Sequence, residues 1–99
     1  MNLGFNGSQL LALAIGGCLC NDLRYVAEKQ GIAIRALAVD VSLTLSGEPL
    51  IATDADVRVS LTADTADTDI DALLAATAEV STVSNSVMRG VAVRIARTR

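Results

Sequence analysis

Two thiols stand in the apolar stretch "LALAIGGCLCND", residues 11–22: Cys18 and Cys20. A thiol does chemistry as its thiolate, which is the nucleophile and the metal ligand. The chain contains no histidine. That removes serine–histidine and cysteine–histidine catalysis and every imidazole metal site. Two cysteines spaced C-x-C are too few for a thiolate zinc centre and too few for the disulfide framework of a small secreted domain. What remains open is buried packing, a redox thiol, or a lipid acceptor.

The lipid reading rests on Ile15-Gly16-Gly17-Cys18, which loosely resembles a lipoprotein cleavage box. A signal peptide needs a positive start, and the first nine residues, "MNLGFNGSQ", carry no Lys or Arg. Cleavage at Cys18 would also discard half of a good helix. The uncharged run from Leu10 to Cys20 is too short to span a bilayer. A cytoplasmic protein with no membrane partner is expected. The net charge of −3 argues against nucleic-acid binding, which needs a basic footprint.

The elements that position the cysteines follow from periodicity. The spacing predicts a helix over about residues 8–30, capped by the Ser8 hydroxyl and ended by Gly31. Its first half is apolar on all sides and is expected to be buried all round. Gly16 and Gly17 each cost about 1 kcal/mol of helix propensity against Ala, which implies another backbone close by. Leu37, Val39, Val41, Leu43 and Leu45 alternate with small and polar residues, then "SGEPL" turns the chain. Ile51, Val57, Val59 and Leu61 alternate in a second run, so the two read as an antiparallel hairpin.

A helix follows within 63–81, with Asp67, Asp69 and Asp71 where its dipole favours negative charge. The acidic cluster lacks the glycine and closing glutamate of a calcium loop, so no metal site is expected there. Ile70, Leu73, Leu74, Thr77 and Ser81 form its buried stripe. "TVSNS" reads as a turn and residues 88–96 as a last strand, with Val91, Val93 and Ile95 on one face. Arg89, Arg94, Arg97 and Arg99 give this end a basic bias that a solvated edge explains. The expectation is one α+β domain over residues 1–99, ordered α-β-β-α-β, with a long buried central helix against a small antiparallel sheet. Hydrophobic residues make up 52% but aromatics only 2%, which suggests a homodimer covering part of the apolar surface.

In this order and spacing, "NGSQLLALAIGGCLCNDL" and "STVSNSV" resemble two motifs of the OsmC/Ohr family, the osmotically inducible and organic hydroperoxide resistance proteins. The first is similar to a central-helix motif reading roughly Asn-Pro-Glu-Gln-Leu, an apolar turn or two, then small-small-Cys. The second is similar to Cys-Pro-x-Ser-Asn. The resemblance implies an OsmC-like fold, an intimate homodimer, and thiol-dependent reduction of peroxides without cofactor or metal. In the family a peroxidatic cysteine becomes a sulfenic acid and a second cysteine resolves it. A glutamate and an upstream arginine activate the thiolate.

By this resemblance Cys18 falls on the peroxidatic cysteine, Ser81 on the resolving cysteine, and Ser8 on the activating glutamate. The arginine belongs to an N-terminal sheet that a sequence beginning so near the central helix is expected to lack. Two functions follow. One is reduction of a small hydroperoxide at Cys18, recycled by an external thiol. The other is a non-catalytic OsmC-like scaffold binding an apolar small molecule or a protein partner. Cys20 cannot resolve Cys18 within an intact helix, because residues i and i+2 do not face each other. With no cation beside it in sequence, Cys18 is expected to alkylate slowly at neutral pH.

Overall fold

The computed structural model describes residues 6–98. The N-terminal residues 1–5 and Arg99 lie outside the described residues, so the uncharged start and the last basic residue read from the sequence are not described. The described elements are α1 (Gly7–Gln30), β1 (Ile34–Ser46), β2 (Ile51–Ala63), α2 (Asp67–Val80) and α3 (Thr82–Arg89). The architecture is α+β.

Helix α1 starts one residue earlier than expected, and Asn6 rather than Ser8 caps it. The Asn6 side chain accepts from the Gln9 backbone N–H at 2.9 Å, and the Gln9 side chain accepts from the Asn6 N–H at 3.0 Å. This reciprocal capping box satisfies two donors that a helix start otherwise leaves free. Ser8 lies inside the first turn, where its hydroxyl instead donates to Asn6 Oδ1 at 2.8 Å. At the other end Gly31 adopts φ 71°, a left-handed conformation that costs glycine nothing. The Ile32 N–H then closes on the Ala27 carbonyl at 2.9 Å.

Strands β1 and β2 form a two-stranded antiparallel sheet whose register places Leu37, Val39, Val41 and Leu43 opposite Leu61, Val59, Val57 and Ala55. These alternate residues share the face on which α1 lies. The buried core is small: Leu23 and Ala27 of α1 meet Leu73 of α2. Leu19, Val26, Ile32, Ile34, Leu37, Val59, Leu61 and Leu74 surround them. The core therefore sits under the second half of α1. Ile70, Leu73, Leu74 and Thr77 form the inward stripe of α2, as its periodicity requires.

Two expectations are corrected here. The first half of α1 is not buried all round, since Leu10 and Leu13 are more than half exposed. A two-stranded sheet and a short helix cover only part of a cylinder about 10 Å wide. By length and composition α1 would be able to cross a membrane, but its second half carries Asp22, Arg24, Glu28 and Lys29 and packs on the core.

The second correction concerns residues 82–98. Thr82–Arg89 form α3 in place of a turn, and Gly90–Thr98 form no regular element in place of a strand. Alternation supplies a strand's faces but not its hydrogen-bond partner, and among the described residues β1 and β2 pair only with each other. The polar, β-branched "TVSNSVMR" is held helical by local bonds from Asn85, described below. The described order is α-β-β-α-α.

The molecule is extended, 53 × 26 × 25 Å, with a radius of gyration of 16.3 Å. A compact chain of this length has about 13 Å.

Candidate functional site around Cys18

Cys18 sits in the middle of α1, half-buried, one helical turn beyond Ile15 and one before Asp22. Positions 11, 15, 18 and 22 share a helix face, on which Leu11 and Ile15 lie near both the hairpin and α3 and Cys18 meets the junction of α2 and α3. The Sγ of Cys18 has two side-chain partners among the described residues. Its S–H donates to Asp22 Oδ2 at 3.4 Å. The Ser81 hydroxyl donates to Sγ at 3.7 Å.

Ser81 is fully buried and joins α2 to α3, with φ −70° and ψ 110°. A serine at such a junction ordinarily caps the following helix with its hydroxyl. Here the hydroxyl makes no cap bond and reaches across to α1. The junction is held instead by Asn85. Its Nδ2 donates to the carbonyls of Ala78, Glu79 and Ser81 at 3.1, 3.2 and 2.8 Å. The Ala78 and Glu79 carbonyls are among those that the end of α2 leaves without a helical partner, and the Ser81 carbonyl also accepts from the Asn85 backbone N–H at 3.0 Å. The side chain one turn earlier, Thr77, is also buried and donates to the Leu73 carbonyl at 2.7 Å. No buried side-chain polar atom among the described residues lacks a partner, and this framework holds the Ser81 hydroxyl toward Cys18.

Cys18 and Ser81, 63 residues apart in sequence, are therefore neighbours. Ser8 is not. It lies ten residues before Cys18 on the same helix, about 15 Å along the axis. Cys20 projects elsewhere, beside Gly16, Val39 and Val41 on the sheet side, and both cysteines are free. Sequence reasoning missed Asp22, whose i+4 spacing from Cys18 was the available signal. It quoted Asn85 within a motif without giving it a role. The charge beside the thiol is thus a carboxylate, where an activated thiol needs a cation.

Gly16 is buried against the hairpin. A Cβ there would meet Val41 Cγ2 at 3.1 Å and Val39 Cγ1 at 3.8 Å. The close approach expected of the glycine pair is to sheet side chains in this same chain. Gly17 has open space around it. An open groove of about 400 Å³ runs beside the Cys18 face, lined by Leu11, Ile15, Leu43, Val87 and Met88 among others. Its size falls in the range of small-molecule sites.

The chain belongs to the OsmC family: the family described as OsmC-like protein matches residues 1–96. A search of curated proteins found no match. Among solved structures, an OsmC-like protein from Mycoplasma pneumoniae superposes with a TM-score of 0.81 at 15% identity, over 88% of this chain and 64% of that one. An OsmC-like hydroperoxide resistance protein from Jannaschia sp. gives 0.76 at 14% identity, over 96% and 69%. An organic hydroperoxide resistance protein OsmC from Legionella pneumophila gives 0.63 at 24% identity, over 87% and 64%. At these identities the likeness is one of fold. The chain spans less than two thirds of the Mycoplasma and Legionella structures.

Proposed function

We propose that this OsmC-like protein is a cytoplasmic homodimer carrying a single-cysteine thiol site, in which Cys18 reduces a small organic hydroperoxide. The Cys18 sulfur attacks the distal peroxide oxygen. The O–O bond breaks, the alcohol leaves with a proton, and Cys18 becomes a sulfenic acid. With serine at position 81 no internal disulfide closes the cycle. Two equivalents of an external thiol return Cys18 to the reduced state, releasing a disulfide and water. No cofactor, metal or nucleic acid takes part. The groove lined by Leu11, Ile15, Val87 and Met88 together with Thr53 and Asp54 would receive the organic group of the peroxide.

The observation that carries this reading is the Ser81 hydroxyl, fully buried and 3.7 Å from the Cys18 sulfur. It occupies the place that the family resemblance assigns to the resolving cysteine. The dimer is supported by the exposed leucines of α1 and by a radius of gyration of 16.3 Å, well above that of a compact chain this long.

One observation favours a second reading. The side-chain partners of the Cys18 sulfur among the described residues are Asp22 at 3.4 Å and Ser81 at 3.7 Å, and neither is the cation that accompanies an activated thiol. On that reading the protein is a non-catalytic scaffold whose groove binds an apolar molecule. Free-thiol titration before and after one equivalent of organic hydroperoxide separates the two. Loss of one thiol, mapped to Cys18 and restored by dithiothreitol, supports the redox site. Two unreacted thiols after hours of exposure leave the scaffold.

A further inference from the structure

Reduction of a peroxide by a thiol moves one proton, which starts on the sulfur and ends on the departing alcohol oxygen. An un-ionised thiol attacks slowly and an alkoxide leaves poorly. A group that takes the proton from the one and gives it to the other therefore speeds both halves of the step. Such a group must lie within hydrogen-bond reach of the thiol. Asp22 does. It sits one helical turn beyond Cys18 on the same face of α1, half-buried, with its Oδ2 3.4 Å from the sulfur.

The hydrogen bonds fix where the thiol proton lies. An ionised carboxylate accepts and does not donate, so the hydrogen in the Cys18–Asp22 contact belongs to the thiol. A thiol has one hydrogen, so the sulfur is left to accept from the fully buried Ser81 hydroxyl. The chain of bonds runs from Ser81 to Cys18 to Asp22 and points the thiol proton at the carboxylate. Among the described residues Asp22 forms no ion pair and no second side-chain hydrogen bond, which leaves its other oxygen open.

We infer that Asp22 carries the proton of the Cys18 reaction: its carboxylate takes the thiol proton as the sulfur attacks and delivers it to the oxygen that leaves. The sulfur–oxygen bond forms as the oxygen–oxygen bond breaks. The sulfur is oxidised to the sulfenic acid, the peroxide is reduced to the alcohol, and the carboxylate ends ionised as it began. A cation beside the sulfur is not required, because free thiolate does not accumulate.

This inference rests on the peroxide reaction proposed above, and two reactions of the same thiol test it. Alkylation by iodoacetamide needs the thiolate, but its leaving iodide needs no proton. Peroxide reduction needs both. D22N keeps the size of the side chain and an acceptor for the S–H, but an amide does not carry the proton. The rate constant for oxidation of Cys18 by cumene hydroperoxide, divided by that for its alkylation, should fall at least about tenfold in D22N. Taking the ratio removes any change in exposure of the thiol. The unaltered protein gives a second readout that no folding defect affects. Between pH 7 and pH 5.5 its alkylation should slow with the loss of thiolate, while its peroxide rate holds level. An unchanged ratio in D22N, or peroxide and alkylation rates that fall in parallel in the unaltered protein, overturns the role of Asp22 and leaves the peroxide reaction standing. No loss of the Cys18 thiol in the unaltered protein under excess hydroperoxide overturns both.

Discussion

Replacing Ser81 with cysteine should create a disulfide to Cys18. The Ser81 Oγ and Cys18 Sγ are 3.7 Å apart, while a disulfide holds its sulfurs at about 2.05 Å. Closing the gap takes a movement of roughly 1.6 Å shared by two side chains, within reach of a χ1 adjustment. The bridge joins positions 63 residues apart. Constraining a loop of that size in the unfolded chain stabilises the fold by about 4 kcal/mol in the chain-entropy treatment. With a guanidinium m-value of about 3 kcal/mol/M, the unfolding midpoint should rise by about 1.3 M on oxidation and fall back with dithiothreitol. The assay compares oxidised and reduced protein at one protein concentration, with free thiols counted in denaturant. S81C should show three thiols reduced and one, Cys20, after diamide. Three free thiols after oxidation would refute the placement of Ser81 beside Cys18. So would a Cys18–Cys20 bridge found by peptide mapping.

Three further outcomes follow from the same geometry. D22A removes the acceptor of the Cys18 S–H, 3.4 Å away, and should speed iodoacetamide alkylation of Cys18 several-fold at pH 7; an unchanged rate would show that the contact has no influence. Leu73 is fully buried between Leu23 and Ala27, so L73A should destabilise by about 2–5 kcal/mol in denaturant unfolding, a large share for so small a core. N6A removes the side chain that anchors the capping box and should cost about 1 kcal/mol, whereas S8A should cost far less because Ser8 caps nothing.

The secondary structure most legible in the sequence was that whose pattern is local. Helix α1 and its glycine stop, the hairpin with its alternating faces, and the stripe of α2 all follow from period and end chemistry. The cap of α1 lies two residues before the one its sequence suggests, because Asn6 and Ser8 are both good caps and only the reciprocal bond with Gln9 selects between them. The family resemblance likewise lies in short motifs at fixed separation, which single out Cys18 and Ser81, the pair that meets in the fold.

Tertiary structure decided the rest. A run of Val, Val and Ile alternating with Ala and Arg reads as a strand in any sequence. Whether it is one depends on pairing with an edge, and among the described residues Val91–Ala96 pairs with none. Thr82–Arg89 carries weak helix formers, and its helix exists because Asn85 ties its first turn to the open carbonyls of α2. The environment of the thiol was hidden for the same reason. Sequence named the residue types near Cys18 along the chain. That a buried serine 63 positions away donates to its sulfur, with an acid rather than a base beside it, depends on how α2 turns into α3 against α1.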